Sequence, residues 1–340
     1  MLCADIPAAP PLRTAPHLGP VSTHSQAQSM SRVASQAASP TVTTEETLAR
    51  GPVAVARDLV SLTKPRLSGL VLFTAGGGLG LAPESVDLVT GLAAVLGTTL
   101  VVGGANALNC YLERDTDQLM GRTRTRPLPA GRLSPSLALA FGVALSLVSV
   151  PLLTILTTPL AGMLAAIALV SYVFIYTPMK RTSSVSTLIG AVPGALPPLI
   201  GWTAATGTLD PGGLALFALL FLWQIPHSLA IGIYRGAEYD KAGLKVYPNE
   251  HGLPATRLQA LLYTTPLVGV PLLLVQLQVG SWATLIAGAT LGIWFFALAL
   301  QGFRHDGDAR WARRFFIASL IYLTGLFVAL GVDGVWLALA

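Results

Sequence analysis

Seven stretches of this chain carry no charged side chain: residues 67–83, 88–112, 133–179, 182–209, 211–234, 258–303 and 315–332. About 20 apolar residues cross the hydrocarbon core of a bilayer as a helix. Inside that core each backbone N–H and C=O must be satisfied within the protein, so such runs have to be helical. The 133–179 and 258–303 runs are about twice the required length, and each reads as two helices joined by a short turn. The turns are expected near Thr157-Thr158-Pro159 and Val279-Gly280-Ser281. The expected fold class is therefore an all-α polytopic membrane protein with nine transmembrane helices.

Composition agrees. Only 11% of the 340 residues are charged, against about 25% in a soluble domain, and the mean hydropathy is +0.65. A soluble enzyme, a nucleic-acid-binding module and a disulfide scaffold are excluded. Cys3 and Cys110 give neither a disulfide framework nor metal-ligand spacing.

The charges that exist are sorted. With nine spans alternating across the membrane, all 21 Lys and Arg residues fall on one side. The other side receives only Glu84, Asp87, Asp210 and Asp333. Cytoplasmic loops collect Lys and Arg, so the N-terminus is expected in the cytoplasm and the C-terminus on the opposite side. This asymmetry also explains the net charge of +5 without nucleic acid. Residues 1–52 form an expected disordered tail, in which Ala, Ser, Pro, Thr and Gln make up 30 of the first 50 residues. The tail is poor in acids, which leaves a transit peptide open, and Met30 is an alternative start. The transmembrane domain is expected over 53–340.

Several loops on the Lys/Arg-rich side hold more than topology requires. Asn109, Glu113 and Asp117 are spaced i, i+4, i+8 and would form one stripe about 12 Å long on a helix. One amide and two carboxylates suit a hard cation such as Mg²⁺, which takes oxygen ligands and shares substrate phosphates. Taken alone, the stripe also fits a solvated helix end. Arg122, Arg124, Arg126 and Arg132 follow at once, and arginines hold phosphate oxygens well. Taken alone, these arginines fit ordinary cytoplasmic topology. A second cluster runs from Trp223, Gln224 and His227 to Arg235, Glu238, Tyr239 and Asp240. His227 is an ionisable group inside a span, by default a functional candidate; a neutral histidine bonded to a neighbour is the plain alternative. Lys64 and Arg66 before the first span, and Lys180 and Arg181 after the fourth, add cations to the same face. A substrate with a polyphosphate head and a long apolar tail would fit this pattern.

The residues Leu62-Thr63-Lys64-Pro65-Arg66, Asn109 to Asp117, Arg122 to Pro129, Tyr176 to Arg181, Gly194 to Trp202 and Trp223 to Tyr239 carry a resemblance. The chain resembles the intramembrane, UbiA-type prenyltransferase superfamily over about 60–335, and within it the haem-modifying protohaem IX farnesyltransferase branch. The resemblance implies nine helices around a central cavity. It implies farnesyl diphosphate bound through Mg²⁺ at two acidic motifs, and transfer of the farnesyl group to a vinyl group of haem b. Asn109, Glu113 and Asp117 match the first motif and are the implied catalytic residues. Glu238 stands at the second motif and completes an implied metal set of Asn109, Glu113, Asp117 and Glu238. Lys64, Arg66, Arg122, Arg126, Lys180, Arg181, His227, Arg235, Glu238 and Tyr239 are the implied substrate-binding residues, with His227 toward haem. Quinone-pathway relatives carry a second acid four residues on, whereas position 242 here is Ala242. Tyr111, Trp223 and Tyr234 are candidates to steady an allylic cation, although a membrane-interface belt accounts for them equally well.

The resemblance further implies a bacterial inner membrane with the site facing the cytoplasm, contact with membrane lipid, and haem A synthase or a terminal oxidase as receiving partner. A mitochondrial inner membrane is the second reading. Two other functions remain as alternatives: a prenyltransferase acting on a quinone or chlorophyll precursor, and a secondary transporter. A transporter would place its ionisable groups near the midplane, often within inverted repeats.

Overall fold

The computed structural model describes residues 42–304 and 309–339. Among the described residues the regular structure is helical, without strands. Two short helices come first, α1 (Thr44–Ala49) and α2 (Pro52–Leu62). Then follow α3 (Pro65–Gly80), α4 (Leu88–Leu112) and the short α5 (Arg114–Gln118). The body continues with α6 (Pro135–Leu156) and α7 (Pro159–Val170), the latter running on through a π-helical turn, Ser171–Tyr176, to Met179. It ends with α8 (Ser186–Thr206), α9 (Pro211–Lys241), α10 (Tyr247–Gln276), α11 (Trp282–Gln301) and α12 (Ala309–Leu339).

The sequence marks most of these boundaries. Pro52, Pro65, Pro135, Pro159 and Pro211 stand in first turns, where a missing N–H leaves no bond unmade. Asp87, Ser134, Thr158, Asp210 and Ser281 cap their helices through side-chain oxygens. Both expected turns within the long runs are present, between α6 and α7 and between α10 and α11. The stretch 42–52 departs from the expected disorder. Thr43 and Glu46 close a capping box on α1, and Arg50 bonds Asp58 at 2.7 Å. Thr47 accepts the N–H of Ser134, which pins α1 to the start of α6. These tertiary partners supply what the low-complexity composition lacks. Residues 1–41 lie outside the described residues.

Among the described residues eight helices are long and apolar enough to cross a membrane, and the chain is an integral membrane protein. The expected first span is α3, which at 16 residues falls short of that length. It nevertheless reaches from one end of the bundle to the other. Lys64, at its start, bonds Asn109 near the end of α4, and Leu81, just past its end, packs against Gly334 near the end of α12. Helix α8 sits at the centre, touching α3, α4, α7 and α9, and is the most buried span. Its glycines allow the approach: a Cβ at Gly201 would lie 2.0 Å from the Ala75 carbonyl oxygen, and one at Gly78 2.0 Å from that of Pro198. Close backbone contact of this kind drives helix association where lipid replaces water.

On the face opposite the charged loops, buried Asp333 of α12 accepts hydrogen bonds from the N–H of Ser281 at 2.9 Å and of Thr284 at 3.0 Å, and from the Thr284 hydroxyl. It thereby caps α11 from another helix. Asp333→Ala leaves two backbone donors and a hydroxyl without a partner and is expected to cost about 2–4 kcal/mol. Thermal unfolding in detergent checks this; an unchanged midpoint refutes it.

Candidate active site

Helix α4 ends one residue short of Glu113, which takes φ −95° and ψ 4° before α5 begins. The expected single helical stripe is therefore bent at its middle. Its bonding survives the bend: Glu113 N donates to Asn109 O at 2.9 Å, and Asp117 N to Glu113 O at 2.8 Å. Asn109, Glu113 and Asp117 all line one cavity of about 500 Å³ enclosed by α3, α4, α7, α8, α9 and the 244–248 loop.

Each of the three has a cationic partner from elsewhere in the chain. Lys64 Nζ donates to Asn109 Oδ1 at 2.7 Å, Lys180 Nζ to Glu113 Oε1 at 2.8 Å, and Arg126 Nη1 to Asp117 Oδ2 at 2.7 Å. Lys64 reaches its place with a left-handed backbone, φ 51°, an uncommon conformation outside glycine. Lys180 is placed by the π-helical turn of α7, a local widening often found at functional sites. The same turn orients Asn109, whose Nδ2 donates to Thr177 Oγ1 at 3.1 Å while Thr177 donates to Tyr172 O at 2.8 Å. Tyr172, Tyr176 and Tyr239 line the cavity, with Lys180 Nζ 4.5 Å from the Tyr176 ring centre. Arg122 also lines it, 3.4 Å from the Tyr239 hydroxyl.

Burial and pairing compete at these groups. Burial would push the Glu113 carboxyl up, but the Lys180 and Lys64 ammonium groups outweigh it and hold it below the ordinary glutamate value. At Asp117 burial wins over the pull of Arg126, and the carboxyl sits above the ordinary aspartate value. As pH falls, Asp117 therefore takes up a proton at a higher pH than an ordinary aspartate does, which loosens its hold on Arg126. The pH dependence of kcat/KM reports groups of the free enzyme. Its acid limb is expected above the ordinary aspartate pKa of about 3.9, and Arg126→Leu is expected to move it higher. An acid limb indifferent to Arg126→Leu assigns it to another group.

The structure brings Lys64, Asn109, Glu113, Asp117, Arg122, Arg126, Lys180 and Tyr239 to one cavity. It places the other expected site residues elsewhere. Arg66 is exposed on α3. Arg181 braces α5, donating to Thr116 Oγ1 at 2.7 Å. Arg235 pairs with Glu238 at 3.1 Å, and neither lines the cavity. The other Glu238 carboxylate oxygen is buried without a partner. His227 turns toward α12: its Nδ1 lies 2.8 Å from Ser319 Oγ, and its ring is stacked on Trp223 and tilted against Phe316, each at 4.7 Å. Of the candidate aromatics, Trp223 donates to Ser319 O, Tyr111 lies under Arg114, and Tyr234 lies between Arg235 and Arg313. None of the three lines the cavity. Sequence reasoning missed Thr177, Tyr172 and the 244–248 loop; Thr177 and Tyr176 lie in a segment that carried the resemblance, which was the available signal. Among the described residues no three His, Cys, Asp or Glu side chains converge as a preformed metal centre. Donors for an oxygen-loving ion exist all the same: Asn109, Glu113 and Asp117 offer oxygens on one wall, while Glu238 stands outside the cavity.

A helical membrane bundle whose apolar cavity opens at a mouth of paired acids and bases defines a class of protein that handles a charged head on an apolar tail. The UbiA prenyltransferase family model matches residues 70–320, and the chain belongs to that family. It is 50% identical over 279 residues to a protohaem IX farnesyltransferase from Anaeromyxobacter dehalogenans, covering 82% of this chain and 94% of that one. Its fold is similar to that of a digeranylgeranylglyceryl phosphate synthase, with a TM-score of 0.71 and 16% identity over 82% of this chain and 98% of the other. It is also similar to a UbiA homologue from Archaeoglobus fulgidus bound to GPP and Mg²⁺, with a TM-score of 0.60 and 15% identity over 80% of this chain and 99% of the other.

Proposed function

We infer that the chain is a protohaem IX farnesyltransferase, transferring the farnesyl group of farnesyl diphosphate to a vinyl group of haem b. The observation that carries the reading is the mouth of the cavity, where Lys64, Arg126 and Lys180 each donate to a side-chain oxygen above an apolar slot. The close similarity over most of the chain to named protohaem IX farnesyltransferases supports the choice of acceptor.

The diphosphate binds at the mouth. Lys64, Lys180 and Arg126 shift from their protein partners to the phosphate oxygens, which carry more negative charge. Arg122 joins them. Asn109, Glu113 and Asp117 would then be free to hold Mg²⁺. When bound, Mg²⁺ supplies positive charge that stabilises the departing diphosphate. The positions of the cations before reaction make that stabilisation preorganised. The C1–O bond of the allylic diphosphate breaks, and Tyr172, Tyr176 and Tyr239 present aromatic faces to the positive prenyl end. The haem vinyl π electrons form the new bond to C1. Water then adds to the neighbouring carbon and loses a proton, leaving a hydroxyethylfarnesyl side chain.

The reading takes α3 as a ninth span, with the N-terminus and the site on the cytoplasmic side of a bacterial inner membrane. Haem A synthase or a terminal oxidase is the class of partner that would receive the product. Expression of the chain in a host lacking its own enzyme, followed by haem extraction and mass analysis, tests the function. The farnesylated, hydroxylated haem is expected. Its absence, with a prenylated quinone present, would favour the quinone-pathway alternative.

A further inference from the structure

The cavity runs from its charged mouth into the bundle along α4. Its lining on that helix passes from Asn109 through Asn106, Ala105, Val102 and Val101 to Thr98. Thr98 is eleven residues from Asn109, a depth of about 16 Å at the helical rise. Beyond it lies a small separate void of about 10 Å³, bounded by Leu72 and Ala75 of α3, Ala94 and Val95 of α4, and Gly201 of α8. Of the residues lining either space, Thr98 alone lines both. It is a partition one side chain thick.

The Thr98 side chain is also held unusually. Thr99 back-bonds to Val95 O at 2.7 Å, Thr203 to Leu199 O at 2.8 Å and Thr264 to Ala260 O at 2.7 Å, the usual way to satisfy a hydroxyl inside a span. Thr98, 1% exposed, makes no such bond and its hydroxyl has no partner. That hydroxyl is left without a partner at the boundary between the two spaces. A farnesyl chain has twelve carbons in line, about 14 Å at ordinary carbon–carbon bond lengths and angles. With the diphosphate at the mouth, a chain of that length would reach as far as Thr98.

We propose that Thr98 sets the length of the prenyl chain at fifteen carbons by closing the far end of the cavity. The assignment rests on the proposed prenyl transfer to haem. Its test is a competition: the full chain in lipid nanodiscs, haem b, and equal concentrations of geranyl, farnesyl and geranylgeranyl diphosphate, with prenylated haems resolved by mass. The wild-type protein is expected to yield the farnesyl product. Thr98→Gly joins the cavity to the void and is expected to raise the geranylgeranyl-to-farnesyl product ratio roughly tenfold, the scale of discrimination set by small steric changes in an apolar pocket. Thr98→Phe moves the wall the other way and is expected to raise the geranyl-to-farnesyl ratio by a similar factor, so either variant suffices if the other fails to fold. Thr98→Val keeps the volume and is expected to keep the wild-type preference, which separates size from the hydroxyl. Equal use of the three donors by the wild type, or unmoved ratios in folded Gly and Phe variants, overturns the proposal. A wild type that prenylates haem from none of the three overturns the functional reading itself, and the role of Thr98 falls with it.

Discussion

Asp117→Asn is expected to reduce farnesyl transfer by at least about 10²-fold, the scale on which single groups that stabilise departing charge act, while leaving the bundle folded. Asp117 is 1% exposed and bonded to Arg126 at 2.7 Å. The asparagine keeps the shape and one oxygen for Arg126, so the guanidinium is not left stranded, as it would be in Asp117→Ala. What is lost is the negative charge. On the proposed mechanism a divalent ion would be held less tightly without it, and Arg126 would no longer be stored beside the position proposed for the diphosphate. Haem extraction with mass analysis reads the activity, and circular dichroism with size-exclusion chromatography in detergent reads the fold. A folded Asp117→Asn protein with normal product would remove Asp117 from the machinery. Lys180→Met is the companion at Glu113: it removes the cation 2.8 Å from that carboxylate and is expected to raise KM for the diphosphate.

Gly201→Ala is expected to be among the most damaging substitutions in the protein, although it adds one methyl group. The added carbon would lie 2.0 Å from the Ala75 carbonyl oxygen and 2.8 Å from Leu79 N, both backbone atoms of α3. A backbone cannot rotate aside as a side chain can, so α3 and α8 must separate along their contact. Overpacking of this kind costs about 1–3 kcal/mol where side chains can adjust, and the rigid case lies at or above the top of that range. The expected result is a clear fall in thermal midpoint in detergent, with loss of activity, because α3 carries Lys64 at its start and α8 walls the cavity. Gly69→Ala, on α3 where the new methyl group meets nothing within 4 Å, is the control and is expected to be silent. Equal stability of the two variants would show that the α3–α8 contact yields.

Much of this protein follows from one physical rule applied along the chain: the hydrocarbon core of a membrane excludes charge. The rule locates the spans, the turns near Thr157 and Val279, and the face that gathers the bases. It also singles out the acids Glu113, Asp117 and Glu238, because topology does not call for acids there; Asn109 joins the first two by its spacing. Periodicity placed them together correctly, although the helix bends at Glu113. The tail shows where composition misleads, since residues 42–52 are ordered by a partner at the start of α6, 87 positions away in the chain, and by one on the neighbouring α2.

The sequence by itself determined the class, the membrane segments and the first acidic motif, because each depends on solvent preference or on local spacing. Only the tertiary structure decided which cation meets which acid and which side of each helix looks inward. Lys64 and Asn109 are 45 positions apart, and Glu113 and Lys180 are 67 apart. His227 and Ser228 are neighbours in an apolar run, yet Ser228 lines the cavity while His227 packs against Phe316 of α12. Successive residues of a helix point about 100° apart. The bilayer is alike on every side of that helix, so its rotation is set by the close backbone contacts and side-chain packing of its neighbours.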